Sequence, residues 1–248
     1  MICALMIGRS GSRGLSKKNT KKVCGRHLCE YSLIAAKNSK YIDRIFVSTN
    51  DPKIMKISRK YGTMTIKRPK HLSRSSSLGE DAFRHGYYKI KKILEKQNKS
   101  IELMVLLFAN VATINNELIN KGIEFLRKNK TFDSAVSTSI YNMWSPLRAR
   151  KLMKDGSLKP FVPFKTFGNP KTLNCDRDSQ GDVYFADMSV SIVRPTCLEE
   201  MEKGLLPQKW MGRKIAPIKS ESGFDLDYMW QLPIAEYWIK KNFKKNKK

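Results

Sequence analysis

Short apolar runs alternate along the chain with longer stretches in which apolar residues recur every three or four positions. Ile2–Ile7 is an unbroken apolar run and predicts a buried strand. Residues 28–38 predict a helix and 43–49 a second strand, closed by Asn50-Asp51-Pro52. Pro52 suits the first turn of a helix to about residue 61. A short strand over 63–66 is broken by Lys67-Arg68-Pro69. Phe83, Tyr87, Ile90 and Leu94 fall at helical spacing inside a helix predicted over 79–97. The most apolar strand, 101–108, precedes a helix at 116–129 and a strand at 134–139. Strands at 184–193 and 214–218 and a short helix at 197–203 follow. The last helix carries Leu232, Ala235 and Ile239 on one face, and Pro233 is expected to delay its start by a turn.

This alternation predicts an α/β fold: a parallel sheet with helices on both faces, in one domain over 1–248. Between 141 and 182 the rhythm fails. Pro146, Pro160, Pro163 and Pro170 and several glycines break it, so this stretch reads as an insertion of loops and short strands and a candidate oligomer contact. Ligands of parallel sheets bind beyond the C-terminal strand ends. The loop after the first strand, Thr49-Asn50-Asp51 and Asn110 all lie at such ends.

That first loop, Gly8-Arg9-Ser10-Gly11-Ser12-Arg13-Gly14-Leu15-Ser16-Lys17-Lys18-Asn19, is where composition changes the picture. Its glycines let backbone N–H groups converge on an anion, and Arg9, Arg13, Lys17 and Lys18 add full charges. A nucleoside triphosphate needs such a loop for its phosphates. No Gly-Lys-Ser/Thr closes it, so it is not a Walker loop, and the even spacing of Gly8, Gly11 and Gly14 is not G-x-G-x-x-G. On composition alone, a solvated basic loop is the competing reading.

The net charge of +26 is extreme, but the lysines are spread along the chain and no aromatic-plus-basic RNA signature occurs. The charge is therefore read as lysine enrichment over an ordinary fold, with no specific nucleic-acid partner. Cys3, Cys24, Cys29, Cys175 and Cys197 make an odd set without C-x-x-C, which fits reduced thiols in a cytoplasm. No run approaches the ~18 apolar residues of a membrane span. His27, His71 and His85 lack metal-ligand spacing, and Trp144, Trp210, Trp230 and Trp238 read as packing or interface residues.

Asp225 and Asp227, two apart after the last strand, fall on one face of an extended chain. Two carboxylates together with substrate phosphates are a usual Mg²⁺ arrangement. D-x-D alone is a weak signal, but here it would face the basic loop across the sheet edge.

Taken together, residues 9–19, Val47-Ser48-Thr49-Asn50, Arg68-Pro69-Lys70-His71-Leu72 and Asp225-Leu226-Asp227 resemble the acylneuraminate cytidylyltransferases, the family of CMP-sialic acid and CMP-Kdo synthetases. The family's first motif reads roughly A-R-G-G-S-K-G-L-P-x-K-N. The resemblance implies a three-layer, mostly parallel sheet of the nucleotide-diphospho-sugar transferase kind. It also implies a dimerisation element, matching 141–182, and a homodimer. The implied reaction transfers CMP from CTP to an eight- or nine-carbon 2-keto acid sugar, with Mg²⁺ and release of pyrophosphate.

On that resemblance the catalytic set is Arg9, Arg13, Lys18, Asp225 and Asp227, the last two binding metal. The nucleotide set is Gly8, Arg9, Ser10, Gly11, Ser12, Arg13, Asn19, Arg68 (near the cytosine) and Ser76. Ser75, Ser76 and Ser77 equally suit a cap for the following helix. Asn110 and Arg177 are the acceptor candidates. Arg13 replaces the family's usual Lys, keeping charge but not shape. The family's L-Q-P-T-S-P-L-R becomes Leu107-Phe108-Ala109-Asn110-Val111-Ala112-Thr113-Ile114, and its later Asn-Gly becomes Asp187-Met188-Ser189. The nucleotide half is preserved and the acceptor half rewritten. The alternatives are a different acid acceptor, such as a phosphonate, or a nucleotide-binding protein without catalysis.

Overall fold

A computed structural model of the chain describes residues 1–11, 15, 17–174, 176 and 181–243. Seven strands form one sheet: β1 (Ile2–Ile7), β2 (Arg44–Thr49), β3 (Met64–Lys67), β4 (Leu103–Phe108), β5 (Ser134–Ile140), β6 (Tyr184–Val193) and β7 (Ile215–Lys219). Their order across the sheet is β7-β5-β6-β4-β1-β2-β3. β1 pairs in parallel with both β2 and β4, setting Ile7 beside Ser48 on one side and Phe108 on the other. The chain order reverses between β1 and β4. The crevice beyond their C-terminal ends is therefore the topological switch point where ligands of open α/β sheets bind.

Alternating side chains of β1 build two cores. Ile2, Ala4 and Met6 pack under α1 (Leu28–Lys37), α2 (Pro52–Arg59) and α4 (Asn116–Lys128). Cys3, Leu5 and Ile7 pack under α3 (Gly79–Glu95) and α5 (Thr196–Glu199). The result is the expected three-layer, mostly parallel sheet, its β1 buried on both faces as a run without polar residues requires. A third cluster docks Ala235, Trp238 and Ile239 of α6 (Leu232–Phe243) on Leu28 and Tyr31 of α1. Burial pushes the Cys3 thiol up to about 11 and those of Cys29 and Cys197 to about 12. Among the described residues, no helix is long and apolar enough to cross a membrane.

The structure corrects three local expectations. β6 runs antiparallel to β4 and β5, because the insertion leaves and re-enters the sheet at the same end. Pro233 does not delay α6: it occupies the first turn, where its missing N–H has no intrahelical acceptor, after a 3₁₀ turn at Met229–Gln231. The helix expected at 197–203 divides into α5 and a 3₁₀ turn, Met201–Lys203. Within the insertion, Arg150–Leu152 and Leu158–Pro160 form a small antiparallel hairpin. Met143, Trp144, Leu152, Leu158 and Phe161 are exposed there.

Candidate active site

The first loop begins where β1 ends. Gly8 N–H donates to Ser48 O at 3.2 Å, continuing the β1–β2 ladder by one residue. A Cβ on Gly8 would stand 2.6 Å from Ala109 Cβ, so only glycine lets the loop pass this close to the end of β4. Gly11 takes φ 73°, which needs no Cβ penalty in glycine. The loop is anchored on both flanks. Ser10 N–H donates to Asn50 Oδ1 at 3.0 Å and Asn50 Nδ2 to Ser10 Oγ at 2.8 Å. Buried Asn19 donates to Arg9 O at 3.0 Å, tying the end of the loop to its start.

A cavity of about 230 Å³ opens at the switch point, with Gly8, Arg9, Lys18 and Asn19 along one wall. Arg68, Leu72, Ser77, Leu78 and Gly79 make a second wall, Phe108 and Asn110 a third, and Asp225 and Asp227 a fourth. Arg9 donates to the carbonyls of Arg74 and Ser75, holding the loop before α3 against the first loop. Arg68 is 6% exposed and donates to Ser48 O at 2.7 Å and Ser48 Oγ at 3.3 Å. Burial, then the charge of Arg9, lowers its guanidinium to about 10. Among the described residues Arg68 makes no ion pair, so a buried cation faces this cavity without a carboxylate.

The acidic wall is held by the strands opposite. Val111 and Asp225 form an isolated antiparallel bridge, and Leu226 N–H donates to Asn110 O at 2.9 Å. Asn110 Nδ2 donates to Asp225 Oδ2 at 3.1 Å. Thr113 Oγ1 donates to Phe224 O and accepts from Phe224 N–H, at 3.1 and 3.0 Å. Gly223 N–H reaches Ser139 Oγ at 2.8 Å, and Ser139 donates to the buried carboxylate of Asp187 at 2.7 Å. Lys18 forms an ion pair with Asp227, joining the first loop to the last across 209 positions. Burial, then the Asp227 carboxylate, raises the Asp225 carboxyl above its ordinary range, while Lys18 and the Asn110 amide pull it down. Repulsion between the aspartates is present, but burial is the larger cause.

These residues suit Mg²⁺. Two carboxylates enter one cavity beside cations able to take phosphate, and the ion pair of Lys18 with Asp227 shows that a positive charge is accommodated there. Among the described residues no cluster of three or more His, Cys, Asp or Glu gathers; Asp225 and Asp227 are two carboxylates, and Mg²⁺ is commonly held by one or two carboxylates with phosphates completing its shell.

Of the sequence candidates, Gly8, Arg9, Lys18, Asn19, Arg68, Asn110, Asp225 and Asp227 meet around this cavity. Ser10 and Gly11 line a neighbouring hollow instead. Ser12, Arg13 and Arg177 lie outside the described residues. Ser76 is exposed and not part of the wall; Ser77, whose Oγ donates to His71 O at 2.5 Å, lines the cavity in its place. Phe108, where the resembled motif has Gln, lines the cavity and packs edge-on against Phe83 at 5.1 Å. Ile114, where that motif has Arg, is fully buried in the core and offers nothing to the site. Ser48, quoted only within Val47-Ser48-Thr49-Asn50, and Asp187, quoted only as a departure from a motif, hold Arg68 and the acidic loop, and neither was named as a site residue from the sequence. Ser48 was within reach, since it stands at the C-terminal end of a predicted strand.

A family model described as Cytidylyltransferase matches residues 3–156. N-acylneuraminate cytidylyltransferase of Oncorhynchus mykiss is 25% identical over 240 residues, 95% of this chain and 49% of the relative. Pseudaminic acid cytidylyltransferase of Campylobacter jejuni is 27% identical over 128 residues, 51% of this chain and 53% of the relative. The chain thus spans about half the length of these curated relatives. The solved structure of CMP:2-keto-3-deoxy-manno-octonic acid synthetase complexed with CTP superposes with a TM-score of 0.65 at 13% identity, covering 97% of this chain and 98% of the other.

Proposed function

The chain belongs to the cytidylyltransferase family, and from that premise we propose that it transfers CMP from CTP to a 2-keto acid sugar of the nonulosonic kind, releasing pyrophosphate. The observation that carries this reading is the meeting of a basic glycine-rich loop, a buried arginine and two carboxylates around one cavity. The names of the matching relatives, which act on acylneuraminate and pseudaminic acid, support the acceptor class.

In the proposed reaction an acceptor hydroxyl attacks the α-phosphorus of CTP. A new P–O bond forms while the hydroxyl gives up its proton to water, the bond from the α-phosphorus to the bridging oxygen breaks, and its electron pair leaves with pyrophosphate. Positioning and charge neutralisation supply most of the catalysis in such transfers. Arg9 and Lys18 hold phosphate oxygens, with Arg13 in the same role by its place in the motif. The triphosphate competes with Asp227 for the Lys18 ammonium. Arg68 donates to the polar edge of the base, and Asn19 orders the loop beneath the ribose. Asn110 orients Asp225 and, with Arg177, faces the acceptor. Asp225 and Asp227 would hold Mg²⁺, which supplies electrophilic activation of the phosphate when bound.

The exposed apolar residues of the insertion support a homodimer formed through it. The buried free thiols support a reducing, cytoplasmic setting. Pyrophosphate release with CTP and Mg²⁺ across a panel of 2-keto acid sugars tests the reading. Release with at least one such acceptor is expected. Binding of CTP with no release for any acid acceptor would leave a nucleotide-binding protein.

A further inference from the structure

We propose that the β- and γ-phosphates occupy a second hollow, adjoining the nucleotide cavity, and that Lys53 of α2 and Lys17 are phosphate-binding residues there. This rests on the nucleotide reading above and extends it to residues outside the resembled set. The hollow is about 400 Å³ and shares Arg9, Lys18 and Asn19 with the nucleotide cavity, so the two spaces adjoin along one basic wall. The remaining lining is Ser10, Gly11, Lys17, Thr20, Asp51 and Lys53.

The charge in this hollow is one-sided. Arg9, Lys17, Lys18 and Lys53 line it against one carboxylate, Asp51. That carboxylate is already engaged: its Oδ1 accepts Lys53 N–H at 2.8 Å and Ile54 N–H at 3.4 Å, capping α2. The helix amides are thereby satisfied, and an anion here must be held by side chains. Among the described residues neither Lys17 nor Lys53 has an ion-pair partner.

Loop conformation agrees. Lys17 takes a left-handed φ of 53°, a conformation that a non-glycine residue adopts at a cost and that clusters at functional sites. It lines the second hollow alone, whereas the next residue, Lys18, lines both spaces. Consecutive lysines are thus divided between the second hollow and the shared wall. A departing pyrophosphate carries more charge than the tail of bound CTP, so cations placed here stabilise the charge that develops as the P–O bond breaks.

Calorimetric titration of CTP, CMP and inorganic pyrophosphate into wild type, Lys17→Gln, Lys53→Gln and Lys56→Gln tests the assignment. Lys56 lies on the same helix with the same charge but outside the hollow, so its variant measures the general field of a +26 chain. Lys53→Gln and Lys17→Gln are expected to weaken CTP and pyrophosphate about tenfold each while CMP affinity stays within about twofold. Lys56→Gln is expected to match wild type with all three. Losses no larger than those of Lys56→Gln, or losses that extend equally to CMP, would overturn the assignment. So would a wild type that binds CMP as tightly as CTP. A wild type that binds no cytidine nucleotide would instead overturn the nucleotide reading on which the assignment rests.

Discussion

Asp187 and Gly223 lie so close that no side chain fits between them: a Cβ on Gly223 would stand 2.2 Å from Asp187 Oδ2. Asp187 is 4% exposed and accepts hydrogen bonds from Ser137 Oγ, Ser139 Oγ and Ser189 N–H. Ser139 then takes Gly223 N–H, two residues before Asp225. A buried carboxylate on the β6 bulge thereby sets where the acidic wall of the cavity begins.

Gly223→Ala should overpack this contact and cost about 1–3 kcal/mol of stability. It should also lower turnover by displacing Asp225. Urea unfolding with a parallel pyrophosphate assay measures both. An unchanged midpoint together with unchanged turnover would mean that the loop is not held by this contact.

Much of this fold was legible from the spacing of apolar residues, since β1 and β4 carry no polar position and α3 and α4 carry clean helical faces. The direction of β6 was not, because alternation within 184–193 is the same whichever way the strand runs; the insertion's return to the same sheet end decides it. The site was legible where chemistry is concentrated: glycines and cations in one loop, and two aspartates two apart. It was not legible where a residue acts through burial. Ser77 and Ser76 are equivalent as letters, and only the turn before α3 puts Ser77 on the wall. Asp187 reads as a departure from a motif, yet its carboxylate is a buried anchor.

Arg9→Ala should lose about 2–4 kcal/mol of transition-state stabilisation, the range for a charge-assisted phosphate contact in a shielded site. Part of the loss will come from the loop before α3, whose Arg74 and Ser75 carbonyls Arg9 holds. Steady-state kinetics with varied CTP checks this, and an unchanged kcat/KM would remove Arg9 from the site.

CTP should stabilise the protein more than ATP or GTP. The expectation rests on the proposed meeting of the cytosine with buried Arg68 in the cavity of about 230 Å³. Thermal-shift titration with the four triphosphates makes the comparison, and equal stabilisation by a purine nucleotide would contradict it.

N-acetylneuraminate should be a poor acceptor. Phe108 puts an apolar ring into the cavity where the resembled motif has an amide, and an apolar wall discriminates against a polar substrate group by about 10². Competition between N-acetylneuraminate and other nonulosonates, followed by product mass, measures the preference. Efficient CMP-N-acetylneuraminate formation would show that Phe108 does not face the acceptor.

The Asp225 carboxyl is raised above its ordinary range, so the folded state binds its proton more tightly than the unfolded chain. Ionising it therefore opposes folding: stability falls as pH rises from the ordinary aspartate range through the raised value. Asp225→Asn keeps the shape and the Asn110 contact without the charge. It should melt higher than wild type at neutral pH, and the advantage should vanish in acid, where both side chains are neutral. A variant that melts lower across the whole pH range would contradict this sign.

The most direct test compares CTP-dependent pyrophosphate release by wild type and Asp225→Asn, with Mg²⁺ and the best nonulosonate acceptor, alongside their melting temperatures. The account predicts rapid release by wild type, release lower by at least about a hundredfold in Asp225→Asn, and a melting temperature at neutral pH that does not fall. Near-wild-type release by the folded variant would contradict it, because the carboxylate wall opposite the basic loop would then take no part in the reaction.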